Sequence, residues 1–174
     1  MKEYLTNTLV LGMEDSGDFD KVVFLYTEKL GKVSAKAKSA RKITSKLSAH
    51  LEPLNFSKIR LVHKNGFQIV DALTLKKIKA SKEAILLLDF LKEMTVDLQP
   101  DKKLWSLIQK SFRDLNAGNF SYKPLLSNLG FDPRFATCQI CGKANVAYFS
   151  AKEQFFICKL CVSKIPQNDI ISMQ

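Results

Sequence analysis

Residues 56–73, FSKIRLVHKNGFQIVDAL, decide the fold. Two apolar-rich runs, Phe56 to His63 and Phe67 to Leu73, flank Lys64-Asn65-Gly66. Asn-Gly is the strongest short hairpin signal because both residues tolerate positive φ. Upstream, Thr6 to Leu11 and Val22 to Thr27 read as two more strands, joined through the turn-rich Glu14 to Asp20 (EDSGDFD). After a turn at Glu28 to Gly31, Val33 to Lys38 (VSAKAK) alternates, with Val33, Ala35 and Ala37 on one face and Ser34, Lys36 and Lys38 on the other. Ile43, Leu47 and Leu51 then recur every four residues, which predicts a short helix closed by Pro53, with Lys42 and Lys46 on its polar side. Five strands with a helical insertion between the third and fourth describe an OB-fold. Periodicity leaves an SH3-like barrel equally open, so a small barrel is the firmer reading.

From Ser81 the period lengthens. Ser81 is the expected N-cap of a helix over Glu83 to Met94, with Ile85, Leu88 and Leu91 as its apolar stripe. Lys103 to Leu115 repeats the pattern with Leu104, Leu107, Ile108, Phe112 and Leu115, and Tyr122 to Leu129 reads as a third, short helix stopped by Gly130. The expected class is α+β: a five-stranded barrel over 1–78, then a small helical domain over 79–174. The most apolar stretch, Ala84 to Leu91, is broken by Asp89 and too short to span a bilayer, so the expected location is the cytoplasm and no membrane partner is expected.

Four cysteines lie between positions 138 and 161, as Cys138-Gln139-Ile140-Cys141-Gly142 and Cys158-Lys159-Leu160-Cys161. Two Cys-x-x-Cys pairs sixteen residues apart have the spacing of a zinc ribbon, and Val146 to Ser150 can pair with Gln154 to Ile157 to bring the halves together. Free thiols, disulfides or a redox dithiol do not account for two pairs at this spacing. Cys138, Cys141, Cys158 and Cys161 are therefore the expected ligands of one Zn2+ per chain. Four sulfurs leave no open coordination position, so the ion is expected to be structural.

Lysine and arginine number 27 against 17 aspartate and glutamate, a net charge of +10. Seven of these cations, Lys29, Lys32, Lys36, Lys38, Arg41, Lys42 and Lys46, fall within eighteen residues that hold no acidic residue. Such a run repels itself unless a polyanion neutralises it. Small residues between them (Ser34, Ala35, Ala37, Ser39, Ala40) let a phosphate backbone approach. Lys32, Lys36, Lys38, Arg41, Lys42 and Lys46 are the candidate nucleic-acid contacts, Arg41 by a bidentate grip and the lysines as point charges. A charge run by itself is usually a solvated face; this one gains weight from its place on a barrel strand and the following helix. Phe56 and Phe67 are secondary candidates for base stacking, although aromatic residues in strands are more often core.

No catalytic constellation is visible, and the chain is not expected to be an enzyme. His50 and His63 have no obvious partner and read as surface residues; Asp15, Asp18 and Asp20 read as turn formers, lacking the later glutamate of a calcium loop. There is no phosphate-binding Gly-x-x-x-x-Gly-Lys motif.

Leu9 to Asp20, Leu25-Tyr26-Thr27-Glu28 with Gly31-Lys32-Val33, Ala37-Lys38-Ser39-Ala40-Arg41 with Ser45-Lys46-Leu47, and Leu51-Glu52-Pro53 resemble the N-terminal barrel of the RecO family of bacterial recombination mediators. Phe120 to Gly130 (FSYKPLLSNLG), Phe131-Asp132-Pro133 and Cys-x-x-Cys-Gly resemble that family's approach to its zinc site. Ser39 stands where the family commonly has glycine and Asp18 where it commonly has glutamate. Relatives usually continue with more helices after the last cysteine pair. The resemblance implies an OB-fold that binds single- and double-stranded DNA, anneals complementary strands, and works with RecR and single-strand-binding protein to load RecA in a bacterial cytoplasm, at the nucleoid. The alternative from the same residues is an RNA-binding protein of translation or ribosome assembly, where basic barrels and zinc ribbons also occur. An enzyme such as a ligase fragment would need a lysine nucleophile motif or a carboxylate cluster.

Overall fold

The computed structural model describes residues 1–166 and 170–173. The chain is mixed α+β and forms two compact units, Met1–Lys102 and Lys103–Gln174.

The first unit is built on five strands: β1 (Lys2–Ser16), β2 (Asp20–Thr27), β3 (Gly31–Ala37), β4 (Asn55–His63) and β5 (Phe67–Lys77). They close into a barrel in the order β1-β2-β3-β5-β4. Closure depends on the length of β1. Its first half pairs with β4, from Lys2↔His63 to Leu9↔Phe56. Its second half pairs with β2, from Thr8↔Thr27 to Ser16↔Asp20, with a register shift between Val10 and Gly12 that bends the strand. The last gap is closed by a short parallel pairing of β3 with β5, Ala35↔Phe67 to Ala37↔Ile69. The alternation read in β3 is realised: Val33, Ala35 and Ala37 are buried and Ser34 and Lys36 exposed. Val10, Val23, Leu25, Ile59, Leu61 and Ile69 fill the interior with them.

Residues 43–51 depart from the expected helix. They run as turns ending in a single 3-10 turn at Ser48–His50, and Ile43 is fully exposed while Leu51 is buried. The segment is too short to offset the cost of helix nucleation, and its end is held to β4, where Ser57 Oγ donates to His50 O at 2.7 Å and Asn55 Nδ2 to Ala49 O at 3.1 Å. His50 also has a partner, since its Nδ1 accepts from the Thr74 N–H at 3.2 Å.

Helix α1 (Lys82–Met94) begins as expected, with Ser81 Oγ accepting from the Ala84 N–H at 3.1 Å. Its buried face is Ala84, Leu87, Leu88, Phe90, Leu91 and Met94, whereas Ile85, expected in the stripe, is half-exposed. The end of α1 and the strap after it are tied to the barrel. Lys32 Nζ donates to Lys92 O at 3.0 Å, Leu98 N–H to Lys32 O at 2.9 Å, and Lys92 Nζ lies 4.6 Å from the Phe24 ring centre. Gly31 permits this seam: at φ +71°, a Cβ there would stand 2.3 Å from the Gln99 carbonyl oxygen. The compact boundary after Lys102 thus lies beyond α1, whereas the composition change in the sequence lies before it.

In the second unit, α2 (Lys102–Asn116) buries Leu104, Trp105, Ile108 and Phe112, and α3 spans Lys123–Asn128. A three-stranded sheet follows, β6 (Tyr148–Ser150), β7 (Phe155–Ile157) and β8 (Ile170–Ser172), in the order β7-β6-β8. The β6–β7 hairpin is the one expected between the cysteine pairs; β8 is an addition. Phe149 is fully buried, with the rings of Phe156 and Phe131 at 4.8 and 5.2 Å. Among the described residues no helix is long and apolar enough to cross a membrane.

Candidate metal centre and nucleic-acid interface

The two Cys-x-x-Cys turns meet above the β6–β7 hairpin. The Cys138 N–H donates to Lys143 O and the Gly142 N–H to Cys138 O, both at 2.8 Å, closing the first turn with Gly142 at φ +70°. In the second, the N–H groups of Cys161 and Val162 both donate to Cys158 O, at 3.1 and 3.2 Å. Gln139 N–H to Phe156 O, at 3.0 Å, binds the first turn to β7. All four Sγ atoms lie within 4.8 Å of one another, with Cys138, Cys158 and Cys161 buried and Cys141 exposed.

This donor set fits a metal ion. Sulfurs around one tetrahedral ion with bonds of about 2.3 Å stand about 3.8 Å apart, and the Cys141 and Cys158 sulfurs are 3.7 Å apart. Burial is the largest influence on three of the thiols and pushes each up. At Cys138 the surrounding N–H groups of Cys158, Cys141 and Ile140 outweigh it and bring the thiol down to about 6; at Cys158 the N–H and thiol of Cys161 also lower it. Cys161 has no such relief. Burial and the other three sulfurs raise it to about 12. Four thiolates this close need a cation among them, and these four residues could hold one.

The candidate nucleic-acid residues divide into two groups. Lys32, Lys36 and Arg41 are paired: Lys32 Nζ with Asp97 at 3.6 Å, Lys36 Nζ with Asp20 at 2.9 Å, and Arg41 Nε with Asp15 at 3.4 Å. Arg41 also donates to Gly17 O. Lys38, Lys42 and Lys46 are exposed and form no ion pair among the described residues. This corrects the premise that the segment is uncompensated. It holds no acidic residue of its own, but the β1–β2 hairpin and the strap after α1 bring carboxylates to it. Asp20 does most: Oδ1 accepts from the Ser39 N–H at 2.8 Å and Oδ2 holds Lys36, and these contacts, in that order, keep its carboxyl below the usual range. Asp15 and Asp20 are thus more than turn formers. Counting strand partners back from the Glu28–Gly31 turn, Val22↔Lys36 and Lys21↔Ala37, would have put Asp20 opposite Lys38 and diagonal to Lys36 from the sequence.

Of the two aromatic candidates, Phe56 is core and Phe67 half-buried. Phe19 was missed. It stands 54% exposed at the β1–β2 turn, with Lys42 Nζ 5.3 Å from its ring centre. An apolar residue inside Gly17-Asp18-Phe19-Asp20 was the available signal.

Fold and site together define a small α+β protein that joins a barrel bearing exposed cations to a module with a clustered four-thiol site. Residues 1–79 match the family model described as recombination protein O N terminal, and residues 76–174 the model described as recombination protein O C terminal. The chain belongs to the RecO family. Relatives named DNA repair protein RecO include those of Bacillus pumilus (28% identical, covering 91% of this chain and 68% of the relative), Myxococcus xanthus (27%, 83% and 66%) and Thermodesulfovibrio yellowstonii (29%, 92% and 70%). The chain spans about two thirds of the length of these relatives.

Proposed function

We propose that this protein is a non-catalytic accessory factor of DNA repair and homologous recombination, binding single- and double-stranded DNA on its barrel and promoting the annealing of complementary strands. The observation that carries the reading is that Lys38, Lys42 and Lys46 are exposed and form no ion pair among the described residues, with Lys42 Nζ 5.3 Å from the centre of the exposed Phe19 ring. Cations of this kind release counterions from phosphates, and an exposed ring offers a stacking surface for a base. Neutralising two strands at once lowers their repulsion so that bases can pair, with no bond made or broken in the protein's own chemistry. The names of the relatives support the repair role.

In this reading the barrel is an OB-fold, a designation supported by the strand order β1-β2-β3-β5-β4 and the parallel β3–β5 closure. Its functional module is residues 1–78, with 79–174 as the module of the metal. Lys36 and Arg41 exchange their carboxylate partners for phosphate when DNA binds, while Lys32 holds α1 in place. Cys138, Cys141, Cys158 and Cys161 hold one structural Zn2+, which substitutes for a core this short segment does not build. RecR, single-strand-binding protein and RecA loading belong to the same reading, as does a cytoplasmic site of action at the bacterial nucleoid.

The test is strand annealing of complementary oligonucleotides by the purified chain, with and without single-strand-binding protein, beside affinities for matched DNA and RNA. Accelerated annealing with DNA bound at least as well as RNA supports the reading. Strong RNA preference with no annealing overturns it in favour of a role in translation or ribosome assembly.

A further inference from the structure

The residues that the basic segment does not absorb gather at the opposite end of β3, where the start of β1, the β2–β3 turn and the β4–β5 hairpin border a cleft of about 600 Å³. Its wall includes Tyr4, His63 and Phe67, and its rim Lys2, Lys29 and Lys64. The rings form a contiguous surface: His63 and Phe67 centres are 4.6 Å apart and Tyr4 and Phe67 6.2 Å. The three lysines are exposed and form no ion pair among the described residues. Among the described residues no carboxylate lines the cleft. Four carboxylates adjoin lining residues in sequence, Glu3, Glu28, Asp97 and Asp101; Glu3 is engaged by Arg60 at 3.5 Å, Glu28 by the Asn7 side chain at 2.9 Å and Asp97 by Lys32 at 3.6 Å.

We infer that this cleft is a second nucleic-acid subsite, taking one unstacked base against Tyr4, His63 and Phe67 with its phosphate between Lys29 and Lys64. This rests on the nucleic-acid reading and extends it to a different face. Ring surfaces accept any base because every base has a π-face, and the rim supplies the opposite charge that a phosphate needs. Two separate cationic faces on one barrel also give an annealing protein a place for each of two strands.

The experiment uses the full chain. Aromatic NMR signals are followed while deoxyadenosine 5′-monophosphate is added, and the affinity of a labelled short oligothymidylate, with and without a 5′-phosphate, is measured for the parent, for Lys29→Ala/Lys64→Ala and for Phe67→Leu. The double variant changes only exposed side chains, and the leucine keeps apolar bulk where Phe67 meets the core. Saturable shifts of the Tyr4, His63 and Phe67 rings, a roughly five- to thirtyfold loss of affinity for Phe67→Leu and a salt slope lower by about 1.4 for the double variant support the subsite. Tighter binding of the phosphorylated oligonucleotide assigns it to a strand end, and equal binding to an internal nucleotide; both uphold it. Unmoved rings, with both variants binding as the parent does, overturn it while leaving DNA binding at Lys38, Lys42 and Lys46 standing. A parent that binds no oligonucleotide, yet shows the ring shifts, overturns the repair reading and leaves the nucleotide cleft.

Discussion

Lys36 Nζ lies 2.9 Å from Asp20 Oδ2, so a cation at the centre of the basic segment is held by a carboxylate from the neighbouring strand. The same Asp20 accepts from the Ser39 backbone at the end of β3. One side chain therefore both anchors the strand end and sets how much positive charge the barrel shows to a ligand.

The pH dependence follows. The Ser39 N–H and the Lys36 ammonium lower the Asp20 carboxyl in the folded protein. A group depressed on folding contributes stability that is complete above its unfolded value, about 3.9, and is lost as pH falls through the folded value. Asp20→Asn should therefore flatten the acid limb of stability below about pH 4, read by urea unfolding at successive pH values. The same variant removes the carboxylate that DNA must displace from Lys36 and should raise single-stranded DNA affinity at fixed salt, read by titration with a labelled oligonucleotide.

Ser39 has φ +53°, a conformation that costs a residue with a Cβ about 1 kcal/mol. Its bond to Asp20 comes from the backbone and survives loss of the side chain. Ser39→Gly should stabilise the protein by about 0.5 to 1 kcal/mol, measured as a higher urea midpoint with an unchanged slope.

Gly31 is the opposite case. A Cβ there would meet the Gln99 backbone at 2.3 Å, so the strap after α1 must shift. Gly31→Ala should cost about 2 to 4 kcal/mol and expose amides near Leu98 to hydrogen exchange. Protection equal to the parent's would mean the seam is not close-packed in solution.

Elemental analysis should return one zinc per chain, and a strong chelator should remove it with loss of order in residues 138–161. Cys158→Ser should lower zinc content and destabilise the second unit, because a buried donor is lost from a set of four. A metal-free protein with its β6–β7 hairpin intact would contradict the assignment.

Local pattern carried most of the fold. The five strands, the Asn65-Gly66 hairpin and the Ser81 cap each rest on contacts between neighbours in sequence, which composition and period report directly. The cysteine site was legible for the same reason, since its spacing is its geometry. The expected helix over 43–51 failed because so short a segment does not offset helix nucleation and closes local turns instead, Ser45 N–H to Lys42 O and His50 N–H to Leu47 O, a choice that four-residue periodicity does not report. Strand β8 has only three residues, Ile170 to Ser172, too few to show alternation. Charge was the least legible feature. A run without acidic residues in sequence was met by Asp15, Asp20 and Asp97 in space.

The most direct test of the central claim is the salt dependence of single-stranded DNA affinity for the parent and for Lys38→Ala/Lys42→Ala/Lys46→Ala. Removing three phosphate-binding ammonium groups should lower the slope of log affinity against log salt by about 2, with folding unchanged, while Lys32→Ala should leave that slope where it was. A triple variant with the parent's slope would contradict the account and move the DNA off this face of the barrel.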